Sequence, residues 1–279
     1  MKKIIMLLTR FLPSKLQIQI MYFLKHKRFI SFKNPRTFND KIQWLKLYDY
    51  DTSFSRYVDK YLVRDFVSEK IGSNYLINLI RVYNSPNEIE WNEMPNRFVI
   101  KWNHGSGSNI FINNKSEIDP KFITKELRKM GKRNWYWYGR EMPYKYISKK
   151  IIIEELLDNN GEQINDYKFH CFNGEPLYIQ VDIDRFTNHT RNIYDLNWNL
   201  INAKIQFNNS SKIIDKPDKL DEMIAIAKIL SCGFKYIRID LYFVCNKIYF
   251  GEMTFYHGSG FEKILPLEFS LELGSQIII

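Results

Sequence analysis

Four segments of the chain carry apolar residues at the three- and four-residue spacing of a helix that packs one face on a core: residues 37–48, 59–71, 120–147 and 218–232. The apolar stripe of the first consists of Phe38, Ile42, Leu45 and Tyr48. Thr37, a common N-cap residue type, precedes this stripe, and a glycine follows the second and fourth segments, where glycine commonly ends a helix. We therefore expect helices in all four segments.

Other runs are short and rich in Ile, Val and aromatic residues, which predicts strands at residues 75–83, 97–102, 151–153, 166–172, 175–184, 236–243 and 247–255. Asn173-Gly174 separates two of these runs and is typical of a tight hairpin turn. No internal repeat or low-complexity linker divides the chain. The pattern predicts an α+β protein with mostly antiparallel sheets and interleaved lobes.

The most informative polar residues lie on the last two predicted strands. A hairpin centred on Asn246 places Asp240 opposite Glu252, and the same register places Arg238 opposite Thr254. Directly opposite residues have Cβ atoms about 4.5 to 5.5 Å apart, close enough for two carboxylates to share a cation. Magnesium binds carboxylate and phosphate oxygens together, so a nucleotide is the natural third partner. The alternative is a surface acid pair that the arginine balances.

A second candidate site is a strand lysine followed by small residues. Lys101 lies near the end of the predicted strand 97–102, and the loop after this strand contains His104, Gly105, Ser106, Gly107 and Ser108. The backbone N–H groups of such a loop can bind phosphate while the lysine ammonium balances its charge. The segment contains neither a Walker A motif nor a GxGxxG fingerprint, so a nucleotide bound here requires a different fold. An ordinary hairpin loop is the alternative.

Two adjacent acids, Glu154 and Glu155, follow a run of three isoleucines at an apparent boundary between lobes. Acids placed after a buried strand can accept hydrogen bonds from ribose hydroxyls. Exposed strand ends also commonly carry glutamate, so both interpretations stay open.

Length, charge and cysteine content indicate the size of the fold, the class of binding partner and the cellular compartment. The chain has 279 residues, enough for one large domain or two packed lobes. Its 41 Lys and Arg against 31 Asp and Glu give a net charge of +10. This charge favours polyanions such as nucleotide phosphates, acidic polysaccharide or an anionic membrane face. The 3 cysteines form no CxxC motif, which excludes a zinc ribbon and fits a reducing cytoplasm.

The N-terminal residues 1–30 mix apolar residues with Lys and Arg. Arg10 interrupts the apolar opening run and no small-residue cleavage site follows, unlike in a signal peptide. We expect helices packed on the body of the protein, with weak association with the inner face of the membrane as the alternative.

The order of these features along the chain resembles that of ATP-grasp enzymes. More narrowly, the chain resembles the TupA-like ATP-grasp family of teichuronopeptide biosynthesis, found in bacterial surface-polysaccharide clusters. The resemblance extends from about residue 13 to about residue 274 and rests on NPRTFNDKIQWLKLY from residue 34, DKYLVR from residue 59, DYKFHCFNG from residue 166 and FGEMT from residue 250.

The resemblance implies an ATP-grasp fold in which two α+β lobes hold ATP between them. It divides the chain into an N-terminal helical segment, residues 1–58, a first lobe with the phosphate loop, residues 59–152, and a second lobe with the metal site, residues 153–279. Adenine is expected beside the segment Glu154, Glu155, Leu156 and Leu157. The phosphates are expected under the loop of residues 104–108, in contact with Lys60 and Lys101.

The resemblance also implies roles at the reaction centre. Asp240 and Glu252 would hold Mg²⁺, and Arg238 and Lys168 would act on the transferring phosphoryl group. Thr254 stands where many ATP-grasp enzymes have asparagine, which leaves a third metal ligand open. The implied activity is a carboxylate–amine ligase that forms an acyl phosphate and then an amide on a uronic-acid or amino-acid carboxylate. The expected partners are this acceptor and an amine, not nucleic acid.

Two other functions remain open from the sequence. Asp182-Ile-Asp184 is a DxD motif of the kind that holds a metal-bound nucleotide sugar in glycosyltransferases, although we expect a solvated strand end. The basic residues between 125 and 133, with Trp135 and Trp137, could bind nucleic acid or an anionic glycan. A solvated helix face is the simpler interpretation, and a groove for an acidic acceptor is a further hypothesis.

Overall fold

The computed structural model describes residues 9–161, 164–184, 188–212 and 214–279; the opening residues 1–8 of the N-terminal prediction lie outside these ranges. The described helices are α1 Ser14–His26, α2 Phe38–Tyr48, α3 Ser55–Val58, α4 Val63–Ile71, α5 Pro120–Gly131, α6 Tyr136–Gly139, α7 Leu220–Ser231 and α8 Leu267–Ser275. Short 3-10 turns occur at Thr52–Phe54, Ser73–Tyr75, Pro86–Glu88, Trp91–Glu93, Lys115–Glu117, Met142–Tyr144 and His257–Gly260.

Helix α2 begins where the sequence predicts. The Thr37 side chain accepts a hydrogen bond from the Asp40 backbone N–H, and the Asp40 side chain accepts one from the Thr37 backbone, so a complete capping box starts the helix. Tyr48, assigned to the buried stripe, is instead 50% exposed because the helix end projects beyond the core.

Two antiparallel sheets follow along the chain. The first has the order β1-β4-β2-β3 and contains β1 Leu79–Tyr83, β2 Phe98–Trp102, β3 Ile110–Ile112 and β4 Ile151–Glu155. Its core is apolar, with Phe98, Ile100, Ile151 and Ile153 all fully buried against α5. The division between lobes at residue 152 stays a prediction; β4, which contains that residue, runs to Glu155 in the first sheet.

The second sheet has the order β11-β10-β5-β6-β7-β8. Its strands are β5 Asp166–Phe172, β6 Glu175–Ile183, β7 Thr190–Tyr194, β8 Leu200–Ile201, β10 Tyr236–Val244 and β11 Lys247–Thr254, and a small separate sheet pairs β9 Lys204–Ile205 with β12 Ile264–Leu265. One face of the large sheet packs on α7 through the buried residues Phe169, Cys171, Ile237, Ile239 and Leu241. The opposite face carries the alternating polar residues.

Most predicted elements are confirmed, and the sheets are antiparallel as expected. Two predicted helices are shorter than expected: the one predicted from residue 59 begins at Val63, and the one predicted at 120–147 ends at Gly131, with only a four-residue helix and a 3-10 turn after it. The strand predicted from residue 75 begins only at Leu79, because a 3-10 turn occupies Ser73–Tyr75. The sequence analysis missed the strands β3, β7, β8, β9 and β12 and the helices α3 and α8. Strand β7 is short and polar, and its residues Arg191 and Asn192 are buried by neighbours that are distant in sequence.

Helix α2 supports the chain that returns from β11. The Gln43 side-chain amide donates hydrogen bonds to the carbonyls of Ser259 (3.0 Å) and Gly260 (2.8 Å). The Lys46 ammonium, 1% exposed, donates to the carbonyls of Gly139 (2.6 Å) and Ser259 (2.9 Å). Burial lowers the pKa of Lys46 to about 7. The N-terminal segment is thus packed on the body, as predicted, and holds the turn His257–Gly260 in place.

The close packing of α8 on the residues before α2 can be tested at Gly274. A Cβ at this position would lie 2.1 Å from the Arg36 carbonyl oxygen, so Gly274→Ala should lower the free energy of unfolding by about 1 to 3 kcal/mol. Alanine ordinarily favours a helix over glycine by about 1 kcal/mol, so a loss of stability identifies the steric clash. Chemical denaturation measures it. Ser275→Ala, at an exposed position of the same helix, is the control; equal stability of both variants would contradict the packing.

Candidate active site

The hairpin of β10 and β11 carries the polar residues that the sequence singled out. The predicted pairing is confirmed: Asp240 lies opposite Glu252, and Arg238 opposite Thr254. The turn itself differs from the prediction, because it contains two residues, Cys245 and Asn246, with φ of 48° and 60°. A bulge at Gly251 then shifts the register by one residue, which restores the pairing expected for a turn centred on Asn246.

Arg238 is the centre of this face. Its guanidinium donates two hydrogen bonds to Asp240, from Nε to Oδ1 (2.6 Å) and from Nη2 to Oδ2 (2.7 Å). Nη2 also reaches Glu252 Oε1 (3.1 Å) and Thr254 Oγ1 (3.2 Å). Nη1 lies 2.8 Å from Nδ1 of His257. Arg238 and Asp240 are 8% and 2% exposed, so the pair is a buried, bidentate one of the strongest type.

Lys60 links the two sheets. Its ammonium donates to the Gly105 carbonyl (2.6 Å) and lies 3.3 Å from Glu252 Oε2. The preceding Asp59 accepts a hydrogen bond from the Asn103 side chain (2.8 Å), and the Lys60 backbone N–H donates to the Asn103 carbonyl (2.9 Å). One lysine therefore contacts both the predicted phosphate loop and the predicted metal site.

The loop of residues 104–108 combines exposed and buried small residues. Gly105 has φ of 70°, and a Cβ there would lie 1.8 Å from the Trp135 indole nitrogen, so only glycine fits. Ser106 and Gly107 are exposed. Within the described part of the chain, neither the buried Ser108 hydroxyl nor His104 Nδ1 has a hydrogen-bond partner. Burial lowers the pKa of His104 to about 4, so this imidazole is neutral at physiological pH.

Lys101 extends from β2 toward β4, where its ammonium lies 2.5 Å from Glu154 Oε2. Arg64 on α4 reaches the other oxygen of the same carboxylate at 3.3 Å. Glu154 is 4% exposed. The pairing fixes the Lys101 side chain against β4, and it occupies a carboxylate that was predicted to bind ribose.

The residues after β4 border an open cleft. Glu155 is exposed, and Leu156 and Leu157 are half-buried. A cleft of about 420 Å³ lies between this segment and the β10–β11 hairpin; its hairpin wall consists of Val244, Cys245, Lys247 and Tyr249. Tyr249 and Val244 occupy the same face of the hairpin as Glu252 and Asp240, so the cleft adjoins the polar face.

Lys168 is buried among three carboxylates. Its ammonium lies 2.5 Å from Asp166, 3.5 Å from Asp182 and 3.7 Å from Asp240. In the register of the sheet, Lys168 of β5 lies directly beside Asp240 of β10. The structure thus brings Lys168 to the same polar face as Arg238.

Two further charged residues on this face, Arg191 and Glu262, were not identified from the sequence, and both contact the network around Arg238. Asp182 Oδ1 accepts a hydrogen bond from Arg191 Nε (2.6 Å), Arg191 Nη1 donates to Glu262 Oε2 (2.8 Å), and Glu262 Oε2 lies 3.0 Å from His257 Nε2. His257 in turn contacts Arg238, so these side chains form a closed ring of contacts. We call it the charge ring, and it consists of Arg238, Asp240, Lys168, Asp182, Arg191, Glu262 and His257. The period-two recurrence of polar residues in Asp166-Tyr-Lys-Phe-His170 and Gln180-Val-Asp182 was the available signal for part of it.

Asp182 and Asp184 do not form a metal-binding DxD pair. Asp182 is 3% exposed and its carboxylate is bound by Lys168 and Arg191, so the expectation of a solvated strand end is wrong for it. Asp184 lies beyond the end of β6 with φ of 51° and pairs with the exposed Lys212 at 2.6 Å. The two carboxylates therefore serve different partners.

Neighbouring cations keep two acids of the polar face ionised, whereas burial raises the pKa of Asp240. Burial raises the pKa of Glu252, but the neighbouring Lys60, Arg238 and Lys168 outweigh this effect and lower the pKa to about 2. Burial also opposes ionisation of Glu262, whose pKa is nevertheless lowered to about 2 by His257 and Arg191. Both acids are therefore anionic throughout the physiological pH range.

The donor set on the hairpin fits magnesium that is bound together with nucleotide phosphates. Asp240 and Glu252 supply adjacent carboxylates, and magnesium commonly takes one or two carboxylates plus phosphate oxygens. The described residues contain no cluster of three or more His, Cys, Asp or Glu that could hold a metal by themselves. The side chains of Asp240, Glu252 and Thr254 all accept hydrogen bonds from Arg238. Assignment of Asp240, Glu252 and Thr254 as metal ligands stays a prediction.

Comparison with solved structures finds ATP-grasp enzymes. D-alanine–D-alanine ligase from Bacillus anthracis, complexed with ATP, is 16% identical over 71% of this chain and 52% of its own, with a TM-score of 0.39. N5-carboxyaminoimidazole synthetase from Staphylococcus aureus is 14% identical over 71% of this chain and 44% of its own, with a TM-score of 0.42. The ATP-grasp ligase PsnB is 10% identical over 86% of this chain and 66% of its own, with a TM-score of 0.43. The chain spans about half the length of the first two enzymes.

Sequence comparison assigns the family directly. No curated protein matches the chain. The family model described as TupA-like ATPgrasp matches residues 40–278, which include both sheets, the loop of residues 104–108 and the polar hairpin. The fold is accordingly the α+β ATP-grasp fold, preceded by an N-terminal helical segment, as the sequence resemblance implied. This chain belongs to the TupA-like ATP-grasp family.

Proposed function

We propose that this protein is an ATP-dependent carboxylate–amine ligase. The observation that carries the proposal is the buried Arg238, which pairs with Asp240 and Glu252 on one hairpin while Lys60 connects that hairpin to the glycine-rich loop of the other sheet. This arrangement places cations and carboxylates from both lobes around one cleft. Such fixed charges can neutralise the phosphates of ATP and the charge that develops during phosphoryl transfer.

In the proposed reaction, a carboxylate oxygen of the acceptor attacks the γ-phosphorus, and the bond from this phosphorus to the β,γ-bridging oxygen breaks to release ADP. The nitrogen of an amine then attacks the acyl carbon of the acyl phosphate. The carbon–oxygen bond to phosphate breaks, the nitrogen loses a proton, and an amide and phosphate result.

The roles that we propose for the residues are those that the family resemblance implies. Lys60 and Lys101 contact the phosphates of ATP, and the backbone of residues 104–108 covers them. Arg238 and Lys168 stabilise the transferring phosphoryl group. Adenine occupies the cleft beside Glu155, Leu156 and Leu157. Mg²⁺, held by Asp240 and Glu252, would neutralise phosphate charge when bound. Glu154 positions Lys101 through their 2.5 Å ion pair, which supports a positioning role in place of direct ribose binding.

The proposed acceptor is a uronic-acid or amino-acid carboxylate in a precursor of a bacterial capsule or other surface polysaccharide, which follows from the family resemblance. The reaction would take place in the cytoplasm. The separate partners of Asp182 and Asp184 give no support to a glycosyltransferase that uses a DxD motif.

The proposed chemistry can be tested by trapping the acyl phosphate. The protein is incubated with ATP, magnesium, hydroxylamine and, one at a time, glucuronate, galacturonate and amino acids. Hydroxylamine is a small nucleophile that converts an acyl phosphate to a hydroxamate. We expect equal amounts of ADP, phosphate and hydroxamate with at least one acceptor. Thermal stabilisation by manganese and a UDP-sugar, without stabilisation by magnesium and ATP, would contradict the proposal and support a glycosyltransferase.

Glu252→Gln should lower turnover by about 100-fold or more, because it removes a charge that acts on metal and phosphate. About a third of the Glu252 side chain is exposed, so the fold should tolerate the change better than it tolerates Asp240→Asn, which leaves Arg238 buried with one fewer anion. ADP release and magnesium-dependent thermal stabilisation by ATP are the measurements. Glu69→Gln, on an exposed part of α4, is the control, and turnover at the unsubstituted rate in Glu252→Gln would refute the assignment.

Lys101→Ala should mainly weaken ATP binding, by about 10-fold, because it removes a charge-assisted contact to phosphate. Glu154 is left buried with Arg64 as its remaining partner, so the unfolding temperature without nucleotide should also fall, and the ATP affinity is measured below it on folded protein. Calorimetric titration with ATP measures the affinity, and Lys121→Ala, at an exposed position of α5, is the matched control. If ATP affinity is the same in both variants, Lys101 does not contact the nucleotide.

A further inference from the structure

The net positive charge of the protein comes from its N-terminal segment, residues 1–39. Residues 1–39 contain nine Lys or Arg and no Asp or Glu, whereas the remaining 240 residues contain 32 basic and 31 acidic residues. The catalytic body is therefore nearly neutral overall. Almost the entire net charge of +10 belongs to the segment that precedes Asp40.

Helix α1 divides this segment into an inner and an outer face. Its inner face is packed on the body through Ile18 (1% exposed) and Tyr22 (0% exposed), together with Ile30 and Phe32. Large apolar side chains remain on the outside, and we call them the N-terminal face: Phe11, Leu16, Phe23, Leu24 and Phe29.

The N-terminal face is unusually exposed for residues of this type. Phe11 and Phe29 are 80% and 63% exposed, and the rings of Phe23 and Phe29 stack on each other at 4.8 Å outside the core. Leu16, Phe23 and Leu24 have the i, i+7, i+8 spacing of one stripe along a helix. Exposed apolar patches of this kind mark interaction surfaces.

Basic residues alternate with these apolar residues along the chain, and the Arg10 guanidinium lies 4.5 Å from the Phe11 ring centroid. Arg10, Lys15, Lys27 and Lys33 are all exposed. No acid in residues 9–39 offsets these charges, so the surface is complementary to an extended anionic layer. This combination of bulky apolar groups and surrounding cations is typical of a helix that lies in the interface of a bilayer with its apolar face in the headgroup region. None of the helices in the described ranges has the length and apolar character needed to cross a membrane.

We propose that the N-terminal face docks on the surface of an anionic lipid bilayer. Phe11, Phe23 and Phe29 enter the boundary between headgroups and acyl chains, and the lysines and arginines bind anionic headgroups. The inner face keeps α1 attached to the body, since Ile18 and Tyr22 are already buried there.

The docked surface adjoins the chain that carries part of the charge ring. His26 Nε2 lies 3.2 Å from the Phe261 carbonyl oxygen, and Lys25 Nζ donates to Gln206 Oε1 at 3.1 Å. Phe261 precedes Glu262 of the ring. Docking through α1 would therefore bring this side of the catalytic body close to the lipid surface, where an acceptor carried by a lipid could approach.

Co-sedimentation with vesicles tests the proposal on the full chain without nucleotide, so its outcome is independent of the ligase activity. We expect the protein to pellet with vesicles of equimolar phosphatidylcholine and phosphatidylglycerol and to remain in solution with vesicles of phosphatidylcholine alone. Added salt should weaken the binding, because it screens the headgroup attraction. A protein that stays in the supernatant with both vesicles, or that binds both equally, would overturn the proposal.

A pair of matched double variants identifies the surface. Lys15→Glu with Phe29→Ser should reduce partitioning onto the anionic vesicles by about 10-fold or more, since each basic residue near the surface contributes about 1 kcal/mol and an apolar anchor is lost as well. Glutamate near the start of α1 favours the helix, so loss of binding does not reflect loss of α1.

The control is Lys125→Glu with Phe122→Ser, which changes charge and apolar exposure in the same way at exposed positions of α5. We expect its vesicle binding to match that of the unsubstituted protein. Thermal unfolding with and without magnesium and ATP verifies that both variants keep the fold and the nucleotide site. An equal loss of binding in both variants would show a non-specific charge effect and overturn the assignment to the N-terminal face.

Discussion

Burial of the Arg238 guanidinium is the constraint on which the rest of the active site depends. An uncompensated charge inside a protein costs several kcal/mol, so Arg238 is tolerable only with anions fixed around it. Asp240 supplies a bidentate partner from the same strand, and Glu252 and Thr254 supply acceptors from the neighbouring strand. The bulge at Gly251 is what brings Glu252 into line with Asp240.

The charge ring extends this compensation across the sheet. Each cation in it contacts at least one carboxylate, and His257 and Glu262 close the circuit from the chain that returns after β11. Helix α2 supports this returning segment, because Gln43 and Lys46 donate hydrogen bonds to carbonyls of the turn His257–Gly260. The N-terminal segment is therefore a structural part of the body that carries the candidate active site, while its outer face is exposed for the proposed membrane contact.

Lys60 is one of the contacts between the two sheets. The lysine bonds to the Gly105 carbonyl and lies beside Glu252, so it joins the loop of residues 104–108 to the polar hairpin. Lys101 and Glu154 form a second ion pair within the first sheet. A site built from separate lobes in this way suits a substrate with distributed charge, such as ATP.

Local patterns in the sequence were sufficient for the elements and for the central hairpin, because alternation and turn residues are properties of neighbouring positions. They determined the capped helix α2, the hairpin at Asn173-Gly174 and the pairing of Asp240 with Glu252. The N-terminal charge asymmetry is likewise visible in the sequence alone. Only the tertiary structure decided that Asp182 is buried beside Lys168, that Glu154 binds Lys101, and that Arg191, Glu262 and His257 complete the charge ring. These contacts join residues that are far apart in the chain, and their formation depends on the order of the strands and the path of the return loop, which no local periodicity encodes.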